Sequence, residues 1–546
     1  MFKKFTAILC AAAIVCATFI PAFAVQKNPS LRVGLFYGNS ALPTANLQNR
    51  EGSGYKAGYM SNGSFTELFS TGAQKITVVK NKNVYQDAAG NFNESSGKAV
   101  GAYRVRFTAG YDTYADAKAA LDQTTQSAGL AFLACEHGKY YINLDYFSTE
   151  SYASTGITAF SAKFPGQAME VVKPATNRMT IITTEGATPI FDYMGEELAI
   201  SPSGAEKPIT WFKGYSYYGI FLYRRMSGDN LTVVNYVNIQ DYVKGVIPYE
   251  MNPKWHIEAL KAQAICARSY AVGNINKHKN HQFDVCNSVD CQVYNGTGSA
   301  TENSNASVDQ TFGQYVYHDG KPAITFFHSS SGGSTENSEN VWGNAVPYLR
   351  AVADDYEDLE NAYNGIWSVS YTPAQVKQIL EAKNYSIGTV SKVYVSEYTP
   401  AGNVLKLTVE DTGGKKLVFE RERVRTILNS SSLNKTVNSM RYTVKTTGGA
   451  NSPVIDASDA NKHLDIIRFG TGLTFGGNGA FAGVVLPDLK NMGGESTATM
   501  FTFEGRGWGH NVGLSQYGAK GMAERGFTAE QIIKHYFTGV YIETGE

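Results

Sequence analysis

This 546-residue chain has no excess of charge of either sign: Lys plus Arg and Asp plus Glu number 48 each. No global field therefore pulls in nucleic acid. Past residue 20 no run is apolar enough to cross a bilayer as a helix. Proline is scarce at 16 residues, against 34 Tyr and 54 Gly, a balance that suits a β-rich, turn-rich protein. No Gly-x-x-x-x-Gly-Lys-[Ser/Thr] loop lies between a strand and a helix, so Gly505-x-Gly507-x-Gly509 is not a nucleotide cradle. Ser515 lacks the Gly-x-Ser-x-Gly elbow, which excludes it as a hydrolase nucleophile of that kind.

What is present begins with an export signal. Lys3 and Lys4 precede an apolar run from Phe5 to Ile20, and Ala22-Phe23-Ala24 forms an A-x-A cleavage site. Residues 1–24 read as a secretory leader, with an uncleaved membrane anchor as the alternative, and the protein is expected outside the cell or in its wall. The length allows several domains at roughly 150 residues each. Residues 25–100 show short strands and many turns, Leu31–Tyr37 among them, with no evident chemistry. Residues 101–175 carry a β-α-β-β-α-β order, with Thr113 capping the first helix. Residues 185–546 form the main domain, with strands at Ile220–Arg225 and Leu231–Val237 around Gly228-Asp229. Within it, helical patches are expected at Thr372–Lys383, Arg421–Leu433 and Thr528–Phe537. A buried strand from Ala323 runs into the polar loop Ser329–Ser334. The expected class is α+β, rich in strands.

The stretch Asn235–Ile275 organises the rest. A Val- and Tyr-rich segment ends at Glu250, and Asn252-Pro253 is expected to open a long helix burying one face through Ile257, Leu260, Ala264, Ala267 and Ala271. Glu250 stands among Val246, Ile247, Tyr249 and Met251. Apolar surroundings raise a carboxyl pKa and would make it a general acid, whereas a helix N-terminus would lower it; the sequence leaves the balance open. Arg268 lies in the apolar segment Ala264–Val272 and is expected to reach a buried partner.

Two further clusters carry chemistry. His281, Cys286 and Cys291, with His278 as an alternative imidazole, offer zinc ligands, and a Cys286–Cys291 disulfide is equally compatible with the spacing. Cys135 and Cys266 stand alone in apolar patterns and read as buried thiols. The tract Gly505–Ala519 sets Trp508, His510, Ser515, Gln516 and Tyr517 among glycines, supplying the donors and stacking faces of a sugar site.

Five separated motifs, in this order, resemble one family: Val246-Ile-Pro-Tyr-Glu-Met; Glu258-Ala-Leu-Lys-Ala-Gln-Ala-x-x-Ala-Arg-Ser-Tyr-Ala; Cys286 to Cys291-Gln-Val-Tyr; Phe327-His-Ser-Ser-Ser-Gly-Gly; and Gly505-x-Gly-x-Gly-His-x-Val-Gly-Leu-Ser-Gln-Tyr-Gly-Ala. Together they resemble the SpoIID/LytB family, over about Pro189 to Ile542. The resemblance implies a peptidoglycan lytic transglycosylase that cuts the MurNAc–GlcNAc bond and leaves a 1,6-anhydro end. It places the catalytic acid on Glu250 and a structural zinc on His281, Cys286 and Cys291. Arg268, Ser329, Ser330, Trp508, His510, Ser515, Gln516 and Tyr517 are the candidate substrate contacts. The implied partners are glycan strands stripped of stem peptides and a cell-wall amidase. Some relatives are amidase enhancers, so a non-catalytic glycan-binding role is the alternative. Residues 101–175 resemble the SPOR domain, a glycan-binding module; an ordinary α+β spacer fits them as well.

Overall fold

The protein is described from a computed structural model covering residues 25–226, 230–448 and 498–546. The leader and the Gly228-Asp229 turn lie outside the described residues. The class is α+β and strand-rich, as the composition implies.

A seven-stranded sheet carries the functional elements. Its strands run in the order Val285–Cys286, Ser30–Phe36 (β1), Leu231–Asn238 (β2), Ile220–Arg225, Leu198–Pro202, Tyr55–Ser61 and Ser64–Thr71. β1 alternates Leu31, Val33 and Leu35 into the core, the two-residue period of a half-buried strand. It pairs antiparallel with β2 (Leu31 opposite Val237) and parallel with the cysteine strand (Gly34 opposite Cys286). Gly34 has no alternative there, because a Cβ would stand 2.4 Å from the Phe283 ring. The N-terminal strands are thus part of the sheet that holds the main motifs. The boundary drawn from sequence near residue 185 does not separate two sheets.

Residues 103–172 do form the β-α-β-β-α-β order, with helices Tyr114–Ala128 and Glu150–Lys163 capped by Thr113 and Thr149. Their four strands do not stand alone. Phe132–Glu136 pairs in parallel with Thr188–Met194, and the sheet continues to ten strands.

After β2, Asn238 caps the helix Ile239–Glu250 (α1), its side chain accepting the Asp241 N–H at 2.9 Å. Ile239, Tyr242, Val243, Val246 and Ile247 follow helical spacing and are fully buried. The Val- and Tyr-rich segment is therefore a helix, and Glu250 is its last residue. The next helix, Ile257–Gly273 (α2), begins four residues later than expected, with His256 as its cap. Asn252 instead accepts the Lys254 N–H at 3.0 Å and closes a turn between the helices. α2 buries almost its whole circumference from Ala259 to Ala271 rather than one face. The expected strand from Ala323 is reduced to Phe327–His328, which pairs in parallel with Leu514–Ser515. That pairing brings the Ser329–Ser334 loop beside the C-terminal tract, where Ser515 caps helix Gln516–Glu524 (α3). The helix expected at Thr372–Lys383 runs Pro373–Ala382 and opens with a capping box, Thr372/Gln375; the one expected at Thr528–Phe537 opens with the box Thr528/Gln531. The patch at Arg421–Leu433 shortens to Arg423–Thr426.

Candidate functional site

Glu250 ends α1 at the point where three motifs converge. The residue is half-buried. Its Oε1 accepts the Val293 N–H at 2.7 Å, and its Oε2 accepts from Gln516 Nε2 at 3.3 Å. Val293 follows the cysteine loop, and Gln516 opens α3. Burial raises the carboxyl pKa above its ordinary value and outweighs the two hydrogen bonds, which lower it. The helix term raised from sequence falls away, because Glu250 sits at a C-terminus rather than an N-terminus.

A groove of about 590 Å³ is lined by Asn252, two residues past Glu250, by Tyr517, next to Gln516, and by Trp255, Tyr356, Asp358, Asn361, Lys520, Gly521, Glu524 and Arg525; Glu250 itself does not line it. Its wall depends on a close approach of α3 to the loop at 354–358. A Cβ at Gly521 would stand 1.9 Å from the Tyr356 carbonyl oxygen, and one at Gly518 would stand 1.9 Å from the Tyr536 hydroxyl. Gly518 and Gly521, three apart on one helix face, are the sequence signal from which this contact could have been found.

Between the groove residues Tyr356 and Asp358 in the chain stands a second carboxylate that sequence reasoning missed. Glu357 Oε1 accepts the Ser331 N–H at 2.5 Å and the Ser515 hydroxyl; its Oε2 accepts the Ser330 hydroxyl at 3.0 Å and the Gly332 N–H at 2.9 Å. Asp354 is buried next to it and accepts the Ser331 hydroxyl at 2.9 Å. Burial, and then the negative Glu357, push the Asp354 carboxyl well above its usual range. The pair ties the Ser329–Gly333 loop to the cap of α3, and hence to Gln516.

The other candidates divide. Gln516 reaches Glu250, and Tyr517 lines the groove with its ring 4.9 Å from Trp255. Trp508 is half-buried and stacks on the exposed Tyr363 at 5.0 Å. Ser329 is half-buried and spends its carbonyl on the Tyr517 N–H at 3.0 Å. His510 packs 5.1 Å from Trp342 and 5.4 Å from His328, and its Nδ1 accepts the Val512 N–H at 3.1 Å; burial pushes its pKa down to about 3, so it is neutral. Three assignments are corrected. Ser330 and Ser515 are fully buried with their hydroxyls committed to Glu357. Arg268 is fully buried and donates to the Gln314 carbonyl at 3.2 Å and to Gln240 Oε1 at 3.1 Å. It joins α2 to α1 and the segment before Tyr315, out of a sugar's reach.

The cysteine loop brings four potential metal ligands together. One donor atom each from His278, Cys286, Asp290 and Cys291 lies within 4.8 Å of the others. His278 Nε2 is 3.3 Å from Cys291 Sγ and 3.3 Å from Asp290 Oδ2, and Cys286 Sγ is 4.0 Å from Asp290 Oδ2. Zinc bonds of about 2.0–2.3 Å set donor–donor edges of roughly 3.3–3.8 Å; the two His278 spacings fall there, the Cys286–Asp290 spacing is slightly longer, and two thiols, an imidazole and a carboxylate are donors that suit zinc. His281 is not part of it. The turn Lys279–His281 and left-handed Gln282 carry its ring against Tyr37 and Phe283, while His278 faces Cys291. All four cysteines among the described residues are free thiols, Cys135 and Cys266 buried as expected.

Comparison with known proteins agrees with this reading of the motifs. Residues 227–318 match the SpoIID family model, described as stage II sporulation protein. An uncharacterised protein of Brachyspira hyodysenteriae is 31% identical over 60% of this chain and 73% of its own length. Stage II sporulation protein D of Bacillus subtilis is 26% identical over 64% of this chain and 86% of its own. The amidase enhancer of the same organism is 29% identical over 54% of this chain and 39% of its own length.

Proposed function

Because this chain belongs to the SpoIID/LytB family, we propose that it is a peptidoglycan lytic transglycosylase acting through Glu250. The observation that carries this reading is a half-buried carboxyl on which three motifs converge, with one hydrogen bond on each oxygen, from Val293 and from Gln516, and a pKa raised by burial. Protonated Glu250 gives its proton to the glycosidic oxygen between MurNAc and GlcNAc as the bond to the anomeric carbon breaks. The resulting carboxylate takes the proton of the MurNAc 6-hydroxyl, whose oxygen closes on that carbon. One group serves as acid and then base, no water is consumed, and no second carboxylate is required, unlike ordinary glycosidases. The setting is wall remodelling or sporulation, on strands freed of stem peptides and outside the cytoplasmic membrane. Residues 101–175, if SPOR-like, would add wall binding.

His278, Cys286, Asp290 and Cys291 would hold a structural zinc. Bound there, zinc supplies a cross-link that fixes the loop and not a reaction step. The chain's own contribution is to deliver the Val293 N–H, two residues past Cys291, onto Glu250.

The amidase-enhancer relative favours a second reading, in which the protein binds glycan for an amidase without cutting it. One experiment separates the two. Denuded glycan is incubated with the full chain, and the products are read by mass spectrometry. Anhydro ends are expected, reduced by about 10²–10⁴-fold in Glu250→Gln. Reducing ends would mean a hydrolase, and no products would mean the enhancer role.

A further inference from the structure

We infer that Gln292 is a positioning residue for Glu250: its amide fastens the tripeptide Gln292-Val293-Tyr294 to both helices of the site, so that the Val293 N–H is held at one place on the carboxyl. Its use in catalysis rests on the reading of Glu250 above.

The tripeptide follows Cys291 and is anchored at both ends. Gln292 is 1% exposed, and its Nε2 donates to the Tyr242 hydroxyl on α1 at 3.2 Å and to the Ala267 carbonyl on α2 at 3.2 Å. Tyr294 is buried to the same degree, and its hydroxyl donates to Asn235 Oδ1 on β2 at 2.7 Å. The Tyr294 ring lies 4.9 Å from that of Tyr242, and a Cβ at Gly245 of α1 would stand 2.4 Å from it, so only glycine admits the ring there. Between the two anchors, half-buried Val293 donates its N–H to Glu250 Oε1 at 2.7 Å.

Glutamine suits this place for a stated reason. Its one amide nitrogen carries two hydrogens, and here they reach two different helices. A methionine of similar length would fill the space and join neither. A group that acts first as acid and then as base has to keep its position while its charge changes. The Val293 N–H holds it in both states, and more strongly once the proton has left, because a hydrogen bond to a carboxylate is the stronger kind. Among the described residues no charged side chain enters the balance at Glu250: burial raises its pKa, and the Val293 N–H and the Gln516 amide lower it. Tyr242, the titratable group of α1 that Gln292 touches, is kept neutral by its own burial.

The test is made in the full chain. Gln292→Met removes both donors, and Tyr294→Phe removes one hydroxyl while keeping the ring. Thr325→Val is the control, because it deletes a buried hydroxyl that donates to the Cys266 carbonyl of α2 at 2.7 Å and is no part of the tripeptide's anchoring. Turnover of denuded glycan is followed against pH. In Gln292→Met kcat should fall by up to roughly 10²-fold with KM unchanged. Its alkaline limb should move to higher pH, since a loosened N–H no longer favours the carboxylate. Tyr294→Phe should do the same in smaller measure, and it carries the test where Gln292→Met does not fold. Thr325→Val should lose stability and leave the limb in place. A second readout needs no turnover: in protein with ¹³C-labelled glutamate carboxyls, the resonance lost in Glu250→Gln belongs to Glu250, and its midpoint should rise in both tripeptide variants. A midpoint that stays fixed, a rise in KM in place of the fall in kcat, or an equal shift in Thr325→Val would each overturn the role. So would a zinc content that falls in step with the activity, for Gln292 would then serve the cysteine loop. A midpoint that rises in a chain making no anhydro products would keep Gln292 in its place and remove the transglycosylase reading; anhydro products with a fixed midpoint would do the opposite.

Discussion

Glu250 and Glu357 receive the same kind of partners in different numbers. A carboxylate has about four acceptor sites. Glu357 fills all four, two donors on each oxygen, drawn from the Ser330–Gly332 loop and the Ser515 cap. Glu250 fills two, one on each oxygen. A saturated carboxylate is a joint: it holds two chain segments together and has nothing left for a substrate. A half-satisfied one with a raised pKa is held in place yet free to exchange a proton. The two are linked, because Ser515, tied to Glu357, precedes Gln516, tied to Glu250.

The largest effect expected from this contrast is the loss of turnover in Glu250→Gln described above, which should leave stability within about 1 kcal/mol of the parent, since the amide keeps an acceptor for Val293. Glu357→Gln should do the reverse. Its new NH₂ group faces one backbone N–H, which loses its acceptor while the serine hydroxyl beside it can rotate to accept, a cost of about 1–3 kcal/mol. Urea unfolding of the two variants measures the difference, and equal losses would break the contrast. Next in size is the cysteine loop. Elemental analysis should find one zinc per chain, absent in Cys291→Ser, with a lowered thermal midpoint. Metal retained in that variant would put the ligands elsewhere.

The contrast was only half legible in the sequence. Glu250 could be picked out because it ends an apolar segment and leads a set of recognisable motifs. The helix carrying it was hidden by its own composition: Val243, Val246 and Tyr242 favour strands locally, and only tertiary burial of the Ile239–Ile247 face selects the helix. Helix starts spoke clearly at Thr113, Pro373 and Thr528, where the signal is local. Glu357 was invisible because it stands in the acidic run Asp354–Glu360, which reads as solvated charge, and its four donors come from segments up to 158 residues away. Arg268 carried two readings. Its apolar segment pointed to a buried partner, which the Gln314 carbonyl and Gln240 supply, and only its motif marked it for substrate. His278 displaced His281 because the left-handed residue at Gln282 turns the chain, a conformation that spacing between residues does not encode.

The smallest effect bears on the link between the two carboxylates. Gln516 donates to Glu250 at 3.3 Å and so favours its charged form. The reaction begins from the protonated form, so kcat/KM should fall as pH rises through the raised pKa. Gln516→Leu removes a donor to the carboxylate and adds apolar surface; both changes raise that pKa. The alkaline limb should therefore move to higher pH. Glu357→Gln, where it still folds, should move the limb the same way by a smaller amount, because it loosens the cap that presents Gln516. A limb that stays fixed in Gln516→Leu while KM rises would mean that the amide serves the sugar and not the acid, and the two carboxylates would then act independently.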